Sequence, residues 1–353
     1  MSPNEAIHDP VFQLNLLVWM AKDQPDEGFR VRPVFSRQGF QLHYIEQPFP
    51  FPTEMHGEIV KIAEAKALEI KLGPVPELTI QRHTDGQAIY FEAKAQGFSP
   101  KSSNCEQSRG HLLACGPAFA EVHKPLTKVL LDYVVPETDS VDMRNCLGQL
   151  NVELISAKLN TGEFAVDGLS VKETNLVYHV DEPVRAILPR DETEIAVMTD
   201  LNDDTDPSPL LLVYSDEDCP DAARRGHYRR VLQNQALATL LCFLHGKAQG
   251  QVLEISAQEL LIQTTIGVFN FMGRERQKSM ERVIVENIFR RMAEHWRAKL
   301  PNKVLLTGRT LTLDFKNSSD QEAILDWLED SKKTGFDDKK PKDDGQLDLL
   351  APE

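Results

Sequence analysis

A proline-led pair of short strands, Pro76 to Lys94 (PELTIQRHTDGQAIYFEAK), constrains the fold more than any other stretch of the chain. Leu78 and Ile80 share one face of the first strand, because side chains alternate along a strand. Thr84-Asp85-Gly86 supplies turn chemistry. Ala88-Ile89-Tyr90-Phe91 is the nearly continuous apolar run of a strand buried on both faces. Glu77 begins the first strand, and Glu92-Ala93-Lys94 closes the second. A hairpin of this length brings two acids and a lysine to its open end. Glu92 and Lys94, two residues apart, lie on the same strand face. Charges set directly after so apolar a run need a reason to be there.

That grouping suits phosphodiester hydrolysis. A divalent cation polarises phosphate and activates water, and Mg²⁺ takes carboxylate oxygens while keeping several waters, so two acids suffice. Glu77 and Glu92 are the metal candidates, for Mg²⁺ or Mn²⁺, and Lys94 is placed to stabilise charge or orient water.

The flanking chain predicts the setting. Residues 10–22 have the apolar spacing of a helix. Phe29–Phe35 and Phe40–Ile45 read as a hairpin around Arg37-Gln38-Gly39. Thr53 can cap a helix over 54–69, and Gly73-Pro74 ends it. After the central hairpin come a helix at 104–116 and a strand from Lys128 to Val135. A helix between neighbouring strands implies a crossover, hence a mixed sheet.

This order resembles the PD-(D/E)XK superfamily, the restriction-endonuclease-like nucleases. The resemblance rests on Pro76-Glu77 followed by Glu92-Ala93-Lys94 and covers residues 54–135. It departs from the family's usual first aspartate at Glu77; Asp85 is a nearby acid, but the turn puts it at the wrong end of the strand. The resemblance implies an α/β (α+β) fold: a mixed β-sheet restriction-endonuclease-like core flanked by helices. It also implies a Mg²⁺-dependent nuclease acting on DNA, with RNA as the second substrate class, in a setting such as anti-phage defence or DNA repair. It points to Glu58 or Glu64 on the preceding helix as an assisting acid, and to Gln107 on the following helix as a residue shaping the site. His111, one turn later, reads as a structural histidine that could line the site. The competing reading is a scaffold or nucleic-acid-binding subunit of a multi-protein complex that keeps the fold without catalysis.

The remainder of the chain divides by composition. Residues 1–50 are expected to pack on a nuclease-like domain at 51–195, whose later part (VELISAKL, LSVKE, TNLVYHV, AILP) reads as β-rich. A mainly helical C-terminal domain is expected over 196–332, with a strand at Leu210–Tyr214, helices at 226–246, 256–267, 274–299 and 319–331, and strands at 303–307 and 310–315. Residues 333–353 have the composition of a disordered tail.

The net charge of −15 argues against nucleic-acid binding by the whole surface. Asp221 to Leu300 nevertheless holds 13 Lys and Arg against 7 Asp and Glu, so a local basic face is expected there. Its candidate phosphate contacts are Arg224, Arg225, Arg229, Arg230, Arg276 and Arg290. In the tail, Gln346-Leu347-Asp348-Leu349-Leu350 resembles the short peptide by which bacterial proteins bind the polymerase sliding clamp, with Leu350 at the usual Phe; Gln346, Leu347, Leu349 and Leu350 would be its anchors. The five cysteines are scattered without a CxxC, which suggests neither a zinc site nor a disulfide framework. No apolar run has the length of a membrane span, and the N-terminal stretch lacks the basic-then-apolar pattern of a signal peptide, so a cytoplasmic protein without membrane partners is expected.

Overall fold

The computed structural model describes residues 3–24, 31–49, 51–122, 126–197, 211–219, 221–245, 252–314 and 318–334. The chain forms two compact units: Met1–Arg225 with Thr265–Met280, and Gly226–Thr264 with Glu281–Glu353. Residues 196–225 and 265–280, expected within the C-terminal domain, therefore belong with the first unit.

The first unit runs α1 (Pro3–Ala6), α2 (Pro10–Ala21), β1 (Phe40–Ile45), α3 (Thr53–Lys66), β2 (Leu78–Arg82), β3 (Gln87–Ala93), α4 (Asn104–Ala114), α5 (Pro117–Val122), β4 (Lys128–Pro136), α6 (Ser140–Ser156), β5 (Glu163–Lys172), β6 (Asn175–His179), α7 (Glu182–Arg185) and β7 (Glu192–Val197). Its seven strands form one sheet in chain order, β1 through β7. The joins β3/β4 and β4/β5 are parallel, and the others are antiparallel. Each parallel join needs a crossover; α4 and α5 supply the first and α6 the second. This is the mixed α+β sheet flanked by helices that the sequence predicts.

Strand alternation sorts the core into two faces. On one face, Ala88, Tyr90, Leu131, Tyr133 and Val166 pack with Leu112 and Leu113 of α4 and with Met143, Leu147 and Leu150 of α6. Glu92 has the parity of Ala88 and Tyr90 and belongs to this face. On the other face Phe35 packs edge-on against Phe91 and Tyr178, at 5.2 and 6.1 Å between ring centres. Helix α2 lies against β1, β2 and β3. Asp9 caps that helix by accepting from the Val11 and Phe12 N–H groups.

Some local expectations fail. Residues 186–189 (AILP) are not a strand; they form the turn that ends α7, with Ile187 and Leu188 buried. Residues 152–159 are not a strand. Most of that segment belongs to α6, whose buried Met143, Cys146, Leu147, Leu150 and Leu154 follow the helical period. Its β-branched Val152 and Ile155 point outward, 63% and 56% exposed. The Phe29–Phe35 segment does not form a hairpin with β1. Residues 36–38 make a 3₁₀ turn ending at Gly39 (φ 80°), and Val31 bridges Ala196 beside β7. Residues 29 and 30 lie outside the described residues. Residues 211–214 are buried but join no strand among the described residues, and residue 210 lies outside them; the side chain of Asn15 holds them instead, accepting from the Leu212 and Val213 N–H groups and donating to the Val213 carbonyl.

The second unit holds most of α8 (Ala222–His245), then β8 (Val252–Ser256), α9 (Ala257–Thr264), the end of α10 (Arg274–Ile284), a π-helical turn at Val285–Phe289, α11 (Arg290–Trp296), β9 (Val304–Thr307), β10 (Thr310–Asp314) and α12 (Ser318–Thr334). It is mainly helical, as expected, with an antiparallel sheet in the order β8-β10-β9. The sequence predicts β9 and β10 but not β8, whose VLEIS buries only Leu253 and Ile255. Among the described residues no helix is long and apolar enough to cross a membrane.

Candidate active site at the open end of the hairpin

The β2–β3 hairpin pairs Leu78 with Phe91 and Arg82 with Gln87. Its closed end is fixed by Asp85, which accepts from the Arg82 guanidinium and the Gln87 N–H, with Gly86 at φ 72°. The bond from Arg82 holds the Asp85 carboxyl below its ordinary range. Asp85 thus serves the turn, at the end of the hairpin away from Glu77.

At the open end, the chain beyond the Leu78–Phe91 pair would continue to Glu77 opposite Glu92. There a side chain takes over from the backbone ladder. Glu77 Oε2 accepts from the Ala93 N–H at 2.9 Å, and Glu77 Oε1 accepts from Lys94 Nζ at 2.9 Å. Lys94 Nζ also donates to Glu92 Oε2 at 2.8 Å. Glu77 and Lys94 each keep 21% of their side-chain surface exposed, whereas Glu92 is fully buried. The structure therefore brings together the three residues on which the sequence argument rests.

The Lys94 backbone is held on two sides. Its N–H donates to the Val134 carbonyl, extending the parallel ladder to β4. Its carbonyl accepts from Gln13 Nε2 at 3.1 Å, reaching over from α2. On its own side of the sheet Glu92 faces α4, with His111 Nε2 3.5 Å from Glu92 Oε1. Both residues are fully buried, and among the described residues neither Glu92 Oε1 nor either imidazole nitrogen has a hydrogen-bond partner. Ser108, one turn earlier, bonds the Tyr133 hydroxyl at 2.7 Å.

Helix α4 sits unusually close to the chain that leads into β2. The Lys71 N–H donates to the Glu106 carbonyl at 3.0 Å, and a Cβ on Gly110 would stand 2.1 Å from the Lys71 carbonyl oxygen. Glycine at 110 is therefore required by contact with fixed backbone. Gly110→Ala is expected to lower stability by about 2 kcal/mol, despite the roughly 1 kcal/mol helix preference for alanine. A urea unfolding midpoint equal to or above the wild type's would contradict this.

Electrostatics in the cluster follow from burial against pairing. Burial raises the Glu77 carboxyl pKa above its ordinary value; Lys94 opposes that rise and Glu92 adds to it. Burial likewise raises Glu92, again opposed by Lys94. Burial alone would pull Lys94 down, but Glu77 and Glu92 outweigh it and hold the ammonium well above the lysine range. Burial, reinforced by the Lys94 charge, drops His111 to about 3, so its imidazole is neutral.

The donor set fits a hard divalent cation in one respect that the structure shows directly. Two carboxylate oxygens, from Glu77 just before β2 and Glu92 on β3, already share one cation, the Lys94 ammonium. Glu77 and Glu92 would hold Mg²⁺ or Mn²⁺, with water completing the shell. Among the described residues no group of three or more His, Cys, Asp or Glu is arranged as a metal cage.

Other predicted residues stand apart. Glu58 and Glu64 are exposed on α3, flanking the stripe through Ile59 and Ala63 that faces the core, and no hydrogen bond or ion pair joins either to the cluster. Gln107 is half-buried on α4 with no hydrogen bond to the site. Arg276 is not a surface cation: it is 4% exposed and donates from Nε to Glu46 Oε2 at 2.6 Å. Arg276 is therefore not a phosphate contact, because a guanidinium buried against a carboxylate presents no charge to a ligand. Arg224 approaches Asp9 at 3.5 Å. Arg225 and Arg229 are half-buried, while Arg230 and Arg290 are exposed. Gln346, Leu347, Leu349 and Leu350 lie outside the described residues.

Sequence reasoning missed Gln13 and the closeness of His111 to Glu92. A signal for the first was present: Gln13 and Asn15 interrupt an otherwise apolar helix, and polar residues in such a helix are buried only with partners. No family model, no curated protein and no solved structure matches this chain.

Proposed function

We propose that the first unit is a divalent-cation-dependent nuclease of the PD-(D/E)XK type, cleaving DNA, with RNA as the second substrate class. The observation that carries this reading is the single ammonium of Lys94 held between Glu77 Oε1 and Glu92 Oε2, at 2.9 and 2.8 Å, at the open end of a hairpin. Glu77 and Glu92 are the cation ligands. When bound, the cation supplies positive charge against phosphate oxygens and makes water more acidic. Lys94 stays protonated, so it acts as a fixed positive charge toward the substrate phosphate and not as a base. Its position is set by backbone bonds to Val134 and Gln13, which limits the reorganisation needed when charge develops.

The full-length protein, incubated with Mg²⁺ or Mn²⁺, is expected to cut single- or double-stranded DNA. EDTA and Glu92→Gln should each reduce cutting to background. One observation favours the competing reading of an inactive scaffold: Glu92 is fully buried and its charge is already matched by Lys94. A well-folded wild type that leaves every DNA and RNA substrate intact in Mn²⁺ would decide for the scaffold.

A further inference from the structure

We propose that His111 is the positioning residue for Glu92, donating from Nε2–H to Glu92 Oε1 and so fixing which carboxylate oxygen faces Lys94. The inference rests on the reading of Glu77 and Glu92 as cation ligands. It starts from three orphaned atoms. Glu92 Oε1, His111 Nδ1 and His111 Nε2 are all buried without a hydrogen-bond partner among the described residues. The nearest match among them is Nε2 to Oε1, at 3.5 Å. Buried polar groups without partners are rare in folded proteins and call for an explanation.

Neighbouring groups leave His111 few alternatives. Ser108 and Tyr133 satisfy each other at 2.7 Å. The second oxygen of Glu92 is taken by Lys94 at 2.8 Å. The carboxylate thus has a cation on one oxygen and an imidazole beside the other. The imidazole is also held in place: Gly110, the preceding residue, lets α4 press on the Lys71 carbonyl, and the Lys71 N–H bonds the Glu106 carbonyl of the same helix. Rotation of the Glu92 carboxylate would turn Oε2 away from Lys94 Nζ. A donor at Oε1 prevents that rotation, as hydrogen bonds to ligating carboxylates do at metal sites.

Two measurements on the full-length protein test the proposal. In EDTA, ¹⁵N-histidine NMR is expected to show His111 as the neutral Nε2–H tautomer, with a proton signal that moves upfield in Glu92→Leu. The Nδ1–H tautomer, or a signal indifferent to Glu92, would overturn the proposal without any appeal to metal. In a Mn²⁺ titration followed by electron paramagnetic resonance, His111→Leu is expected to bind about 10- to 100-fold more weakly than wild type. His111→Gln, which keeps a donor, is expected to recover part of that loss; both should stay folded in EDTA, with His111→Leu melting lower than wild type because Oε1 loses its donor. Wild-type affinity in a folded His111→Leu would sink the positioning role alone. Absence of Mn²⁺ binding by the wild type would instead remove the cation-site reading, and the NMR result would still decide the His111–Glu92 bond.

Discussion

Lys94→Met is expected to abolish most of the activity and to weaken the fold at once. Removing the ammonium leaves Glu77 and Glu92 adjacent with no internal counter-charge. Breaking one partner out of a buried ion pair leaves an uncompensated charge and costs about 3–5 kcal/mol. Since Glu77 and Lys94 keep 21% of their surface, the lower end, about 3 kcal/mol, is the expected loss in EDTA. Cleavage should fall by about 10²–10³-fold, the usual effect of deleting one preorganised charge-stabilising group. The two effects separate on adding Mn²⁺. A divalent cation can replace the missing positive charge between the carboxylates, so the melting temperature of Lys94→Met should rise with Mn²⁺ more than the wild type's does. It cannot replace the ammonium at the phosphate, so activity stays low. Equal Mn²⁺ shifts in both proteins would show that the carboxylates do not share a cation.

That cluster was legible in the sequence because it is local. The turn chemistry of Thr84-Asp85-Gly86, the alternation through Leu78 and Ile80, and the acid-x-Lys ending of β3 all lie within one hairpin. Its register follows from the turn. What the sequence hid depends on contacts between distant elements. Arg276 looked like a member of a basic face because no nearby residue signals Glu46, which is far away in the chain and buries it. Helix α6 looked β-prone because Val152 and Ile155, its most strand-like residues, lie on its exposed side, while Met143, Cys146, Leu147, Leu150 and Leu154 carry the helical period. The position of His111 against Glu92 depends on the close approach at Gly110, which no spacing along the chain reveals.

A second large effect is expected from two acids that neither the sequence nor the proposed chemistry uses. Asp132 on β4 and Asp167 on β5 are fully buried on the sheet face opposite Glu92. The Tyr178 hydroxyl donates to Asp132 Oδ2 at 3.3 Å, and the Asp181 N–H donates to Asp167 Oδ1 at 2.6 Å. The remaining oxygens, Asp132 Oδ1 and Asp167 Oδ2, have no donor among the described residues. A proton shared by the two carboxyls satisfies both. Burial, with repulsion from Asp167, raises Asp132 well above the carboxyl range, and burial pushes Asp167 up to about 7.

The native state therefore holds a proton at Asp167 over a pH range in which the unfolded chain, with a carboxyl near 3.8, has lost it. Stability is greatest below that unfolded value and falls as pH rises toward and through 7, by up to about 4 kcal/mol from this pair. Asp167→Asn keeps an acceptor for the Asp181 N–H and supplies a permanent donor to Asp132. It is expected to match the wild type in urea unfolding near pH 4 and to exceed it by about 2–4 kcal/mol at pH 8. A difference that does not change with pH, or a variant less stable at pH 8, would exclude the shared proton.

Helix α2 has a consequence for the order in which the chain can become a protein. Gln13 bonds the carbonyl of Lys94, 81 residues away, and Asn15 bonds Leu212 and Val213, 197 and 198 residues away. During synthesis the amide of Asn15 waits, without these partners, until the chain has grown past residue 213. Contacts of such long separation slow folding, because loop closure precedes their reward. They also put a lower bound on any autonomous fragment. A chain ending at residue 197 contains the whole sheet and all three charges of the candidate site, yet leaves three hydrogen bonds of one buried side chain unmade.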